Sequence, residues 1–191
     1  MTLQTAAPIT SLSLNTSNRP AWEVARLAQD GHIDLNSPYQ RGSVWTTEQR
    51  MELVRSWLAG VPVPAVTLND RSAAARTARQ EHDGPAYAAV DGKQRIETAV
   101  AWFGDDLRVP ASWFSAEDVL DAEDTSDGPY VRFSGLSTAA QRGFRFSASL
   151  PVIETRLLGE QAEAEVYVLL ERSGSPQTTQ DVRRAEAVAG V

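Results

Sequence analysis

The sequence predicts an α+β fold in a single domain, and three observations carry that prediction. A chain of 191 residues suits one domain with a core large enough to fold without staples. Its hydrophobic share of 42% and charged share of 23% are those of an ordinary globular protein. Segments of helical and of strand periodicity are mixed without strict βαβ alternation, which disfavours a doubly wound sheet.

Residues 1–16 are polar and Ser/Thr-rich and read as a flexible N-terminal arm, leaving 17–191 as the domain. A first helix is expected over Pro20 to Asp30, with Trp22, Ala25, Leu27 and Ala28 inward and Gly31 as its stop. "HIDLN" alternates like a half-buried strand, and the turn-rich "SPYQRGSVW" follows. Thr46 and Gln49 have the spacing of a capping box, in which hydroxyl and amide each satisfy a free backbone N–H. The helix they open should run to Ala59, with Met51, Val54 and Leu58 on one stripe widened by Leu53 and Trp57. "VPAVTL" reads as a buried strand because its apolar residues are nearly uninterrupted. Residues 69–85 lose periodicity and read as a surface loop or hairpin insertion. Tyr87 to Val90 is a third strand, and Lys93 to Phe103 a helix carrying Ile96, Ala99, Val100 and Phe103 at helical spacing.

In the second half, "LRVP", "YVRF" and "LPVIETRL" read as strands, and Ser137–Phe146 and Glu160–Arg172 as helices. The second of these helices should turn Ala162, Val166, Leu169 and Leu170 inward, leaving Glu160, Glu163, Glu165 and Glu171 on a solvated face. A break at Ser173 and a last helix from Thr178 or Thr179 complete the chain.

Composition narrows the chemistry. The absence of cysteine removes disulfides, thiolate catalysis and cysteine-ligated metal sites. Two histidines, His32 and His82, are too few for a histidine-rich metal centre, although carboxylates remain for magnesium. A formal charge of −7 disfavours nonspecific coating of nucleic acid. It does not stop a local Arg/Lys cluster from taking a phosphate, since charges farther than roughly 10 Å away are screened. No segment approaches the roughly 20 apolar residues of a membrane span, and the N-terminus has neither a basic nor an apolar signal region. A cytoplasmic protein that contacts no membrane is the expectation. "GPYVRFSG" lacks the Lys-Ser/Thr of a P-loop, and no Gly-x-Gly-x-x-Gly follows a strand.

The segment that stands out is Asp91-Gly92-Lys93-Gln94-Arg95, between a strand and a helix. Gly92 lets the backbone approach a ligand or take positive φ, and the first N–H groups of the helix point outward. Lys93 and Arg95 are badly placed for the helix dipole by a few tenths of a kcal/mol each, a sign that an anion reverses. Phosphate fits: N–H groups cradle it, Arg offers a fork and Lys a movable charge. Asp91 would hold a magnesium that accompanies the phosphates, or orient a water. The alternative is that Asp91 is only the N-cap, Gly92 a turn and the cations a solvated face. Tyr39, Gln40 and Arg41, directly after a strand, are a second cluster on a loop.

"YQRGSVWTTEQRMELVRSWLAGVPVPAVTL" followed by "YAAVDGKQRIETAVAWF" resembles the N-terminal domain of GmrSD-type restriction systems, a ParB/sulfiredoxin-like family with an Asp-Gly-Gln-Gln-Arg motif. The resemblance covers residues 20 to 104, and "EVYVLLERSGSPQTTQDVRRAEA" resembles the family's later helix and turn. It implies a small mixed sheet flanked by helices, and a turn that binds nucleotide or DNA phosphates, with NTP hydrolysis or sensing of DNA in antiphage defence. By position it assigns Asp91, Gln94 and Arg95 to catalysis. It gives Gly92, Lys93, Arg95, Arg41, Gln40 and Tyr39 to phosphate, the last three forming the opposing wall of the cleft. Magnesium and a nucleoside triphosphate are the implied cofactors. Lys93 stands where the family has its first Gln, and Ser173 where related chains tend to have Asn. No histidine pair for a His-Asn-His nuclease module is present, so DNA cutting would come from a separate nuclease subunit or from this domain itself. A non-catalytic DNA- or protein-binding module and a ParB-like nuclease are the alternatives.

Overall fold

A computed structural model describes residue 9, residues 11–40 and residues 42–173 of the chain. The α+β expectation is borne out. The strands are β1 (Asn15–Pro20), β2 (Ile33–Asp34), β3 (Val66–Asp70), β4 (Tyr87–Asp91), β5 (Val109–Pro110), β6 (Ala122–Thr125), β7 (Gly128–Val131) and β8 (Ser149–Thr155). The helices are α1 (Ala21–Gln29), α2 (Thr47–Leu58), α3 (Arg71–Ala78), α4 (Lys93–Phe103), α5 (Thr138–Ser147) and α6 (Gly159–Ser173).

A five-stranded mixed sheet has the order β1-β8-β3-β4-β2, and β5-β7-β6 form a small second sheet. β8 runs antiparallel to β1 and parallel to β3, while β4 runs antiparallel to β3 and parallel to β2. β3 and β4 are central strands, and Val66 to Asn69 and Ala88 to Val90 are buried without alternation, as strands covered on both faces must be. The apolar core gathers Val24 and Ala25 of α1, Leu53, Val54 and Trp57 of α2, and Ile96, Ala99 and Trp102 of α4 against the sheet. Trp102 anchors it, with its ring centroid 5.7 Å from Phe133 and 5.6 Å from Phe144. Offset and edge contacts of this kind add to the area that the rings bury.

Several elements match their sequence signals. Thr46 and Gln49 make the reciprocal capping box at the start of α2. α4 occupies Lys93–Phe103, and Gly31 takes φ of 75° after α1. Four expectations need correction. First, the arm is not wholly free of structure, because β1 begins at Asn15; its exposed, polar side chains hid a strand held by backbone pairing to β8. Second, the insertion at 69–85 is not a loop throughout: β3 continues to Asp70, whose carboxylate accepts from Ala73 N at 2.7 Å and caps α3. Third, the "VPAVTL" strand starts only at Val66, after Pro64, whose ring nitrogen has no proton for the ladder. Fourth, α6 is turned over. Glu163 is fully buried, whereas Leu169 and Leu170 are exposed at 67% and 38%. The last expected helix, near Thr178 and Thr179, lies outside the described residues.

Candidate phosphate site at the start of α4

β4 leaves the centre of the sheet at Asp91, and one residue must turn the chain into α4. Gly92 does so at φ of 91°, a left-handed conformation that side chains rarely take. Space forbids a side chain as well, since a Cβ there would lie 2.5 Å from Val66 Cγ1. Gly92 is the N-cap and offers no side chain, and among the described residues no side chain caps the first backbone N–H groups of α4. The turn and the first residues of α4 line a cleft of about 200 Å³ together with Gln40, Trp45, Tyr167 and Glu171.

Lys93 and Arg95 are drawn in against the protein, with side-chain exposures of 13% and 15%. Arg95 Nη2 donates to Asp91 Oδ2 at 2.8 Å and to the Ala65 carbonyl at 2.9 Å. Its Nε is buried with no partner among the described residues. Lys93 Nζ donates to Asn36 Oδ1 at 3.2 Å and lies 3.8 Å from Glu97 Oε1. Each cation that opposes the helix dipole therefore has a carboxylate four residues away that offsets part of the charge.

Gln94 also lines the cleft, and its carboxamide bridges to the segment before α2. Its Oε1 accepts from Ser43 Oγ at 3.3 Å and from the backbone N–H groups of Val44 and Trp45 at 3.1 Å each. Its Nε2 donates to the Gly42 carbonyl at 3.4 Å. Gln40 donates through Nε2 to the Ala89 carbonyl, while its Oε1 is buried beside the cleft with no partner among the described residues. Tyr39, expected on the same wall, instead donates its hydroxyl to Glu163 Oε2 at 3.0 Å, with its ring 5.7 Å from that of Tyr167. Arg41 lies outside the described residues.

Residues that the sequence did not single out complete the surroundings. Tyr167 and Glu171 reach the cleft from α6, and Glu163 stands one turn before Tyr167 on the same helix. The four-residue spacing Glu163, Tyr167, Glu171 was the available signal, and it was masked by the leucines beside it. Glu163 is clasped by Arg71, whose Nε and Nη2 donate to its two oxygens at 2.7 Å and 2.6 Å. Asn69 Nδ2 donates to Oε1 at 2.7 Å, and Arg71 Nη1 reaches Asp34 Oδ2 at 2.9 Å. Burial pushes the Glu163 pKa up, but the hydrogen bonds from Arg71 and Asn69 and the Arg71 charge outweigh it and hold the carboxyl below its ordinary value. Asp34 is lowered in the same way, its burial outweighed by bonds from Asn36, Ser37 and Arg71. Burial and the neighbouring Glu163 carboxylate push the Tyr39 hydroxyl far up, so it remains a donor.

Among the described residues no group of three or more His, Cys, Asp or Glu side chains is arranged to hold a metal ion. Nor, among them, is any helix long and apolar enough to cross a membrane. Fold and site together define an α+β domain with a mixed charged and aromatic cleft at a glycine-started helix. The chain matches the family described as GmrSD restriction endonuclease, N-terminal domain, over residues 24–187, and it belongs to that family. Comparisons with curated proteins and with solved structures give no match.

Proposed function

We propose that the cleft at the start of α4 binds a nucleoside triphosphate, and that the domain is the nucleotide-dependent sensor or regulator of a restriction-type defence system that acts on DNA with a separate nuclease subunit. The observation that carries the proposal is the coincidence of three features in one cleft: an uncapped helix start at Gly92, the cations Lys93 and Arg95, and the rings of Trp45 and Tyr167. Backbone N–H groups and cations suit phosphate, and aromatic faces suit a base. The reading carries with it a ParB/sulfiredoxin-like fold and a cytoplasmic site of action.

Within the cleft, a phosphate that takes the Arg95 guanidinium frees Asp91 Oδ2, now bonded to it. Asp91 is then available to a water or a metal. One carboxylate fits a magnesium that arrives with the phosphates, since that ion keeps its waters and needs few protein ligands. Such an ion would supply neutralisation of phosphate charge. Lys93 would trade Asn36 and Glu97 for a phosphate oxygen.

A second reading, a binding module without hydrolysis, is favoured by the internal compensation of both cations by Asp91 and Glu97. Calorimetry with ATP, GTP and CTP, with and without magnesium, followed by an assay of phosphate release, separates the two. The expected result is heat with at least one nucleotide, weakened at least tenfold in Arg95→Ala, on the scale of one lost charge-assisted hydrogen bond. Silence with all three nucleotides in a folded protein overturns nucleotide binding, and binding without phosphate release selects the second reading.

A further inference from the structure

Gln94 occupies the motif position at which the resemblance puts a group that handles phosphate or water, yet its carboxamide is spent elsewhere. The oxygen takes three donors, Ser43 Oγ and the N–H groups of Val44 and Trp45, and the nitrogen gives to Gly42 O. Residues 42–45 have no regular structure of their own, and Gly42, Ser43 and Val44 are exposed. They are further tethered by Arg50 Nη2, which donates to Ser43 Oγ at 2.7 Å, and by the half-buried Trp45 ring, which packs against the edge of the apolar core. Trp45, the last residue of the segment, lines the cleft and immediately precedes the capping box of α2.

We infer that Gln94 is a positioning residue: it fixes the Trp45 ring as one aromatic wall of the cleft and does not itself bind phosphate. A carboxamide suits this task because two consecutive backbone N–H groups need an acceptor and a nearby carbonyl needs a donor, and one planar amide supplies both. Exposed loop amides without such a partner would turn to water, leaving the ring held only by its packing against the core and its orientation in the cleft less fixed. The same geometry accounts for Gln at the second position of α4, where its backbone carbonyl also accepts from Thr98 Oγ1 at 2.8 Å. The consequence is a division of labour inside one short motif. Lys93 and Arg95 serve the phosphate end, and Gln94 serves the base end through the segment that carries Trp45.

The inference rests on the proposed nucleotide cleft, and the test keeps the two separable. Wild type, Gln94→Ala, Gln94→Glu, Trp45→Ala and the Gln94→Ala/Trp45→Ala double variant are titrated with ATP, GTP and CTP and with inorganic tripolyphosphate. Hydrogen exchange is followed in parallel at residues 42–45. For a positioning residue, Gln94→Ala weakens nucleotide on the order of tenfold, the scale of one lost base–aromatic stack. It leaves tripolyphosphate within about twofold, and adds nothing further in the Trp45→Ala background. Amide exchange at Val44 and Trp45 rises in Gln94→Ala, and Gln94→Glu, which keeps the acceptor, stays closer to wild type. Equal loss of nucleotide and tripolyphosphate, or full additivity with Trp45→Ala, overturns the inference. If wild type binds no nucleotide, the proposed function fails by itself. Exchange then decides the rest: unchanged protection at Val44 and Trp45 in Gln94→Ala sinks the positioning role.

Discussion

α4 and α6 both wall the cleft, but they are attached to the sheet by opposite physics. α4 drives Ile96, Ala99 and Trp102 into the core, each fully buried. Burying a large apolar side chain is worth about 1.5–3 kcal/mol, and the loss of one methylene is felt as a small increment. α6 contributes no residue to the apolar core cluster; what it buries completely is the carboxylate of Glu163. Such an ion pair stabilises little against an apolar equivalent, yet removing one partner leaves a stranded charge. The contrast teaches that one wall of the cleft is held mainly by additive apolar contacts, whereas the other has a cooperative polar clasp at its buried centre.

The sharpest way to break this comparison is at the clasp. Glu163→Ala should destabilise the protein by about 2–4 kcal/mol in denaturant unfolding, because Arg71 and Asn69 lose their bonds to the carboxylate and Arg71 keeps only Asp34 as a counter-charge. Loss below about 1 kcal/mol would mean that α6 is held by something else. The sign of the pH dependence follows from the depressed carboxyl. The contribution of Glu163 is fully present above its ordinary value of 4.5 and is lost as pH falls through the lower folded value. Unfolding curves measured down to acid should therefore show a drop in stability that shrinks in Glu163→Gln. A comparable effect is expected at the joint between β4 and α4. Gly92→Ala combines a strained positive φ with a Cβ pressed on Val66 and should cost about 2–4 kcal/mol. Nucleotide binding should fall with it, whereas full stability would show that the turn can relax. The smallest effect belongs to the α2 cap. Thr46→Ala should cost about 1 kcal/mol, readable as a small fall in melting temperature, with α6 unaffected.

These two walls also differ in how far they were legible before any coordinates. The α4 side depends on neighbours in sequence: a cap spacing at Thr46 and Gln49, a glycine after a strand, and apolar residues at helical intervals. The α6 side depends on partners far along the chain, since Glu163 meets Tyr39, Asn69 and Arg71, so its glutamates read as a solvated face. α3 escaped notice because Ala73, Ala74 and Ala75 bury small side chains that give no strong periodicity. β1 escaped because an edge strand can be polar on its exposed faces and still pair through its backbone. Within the motif, the strand-to-helix turn at Gly92 was legible from residue types. The direction of the Gln94 side chain depended on a loop some fifty positions earlier and could not be read locally.

The position of β8 has a consequence for how the chain reaches this structure. Residues 149–155 slot between β1 and β3, joining segments that were made first to one made late. A nascent chain that has completed β3 and β4 still presents an open edge on β3 and leaves β1 without a mate. Closure must wait for the late strand, and such sequence-distant pairing makes folding slow and leaves a sticky ribbon exposed in the interval. The sheet therefore cannot be completed in the order in which its strands are synthesised.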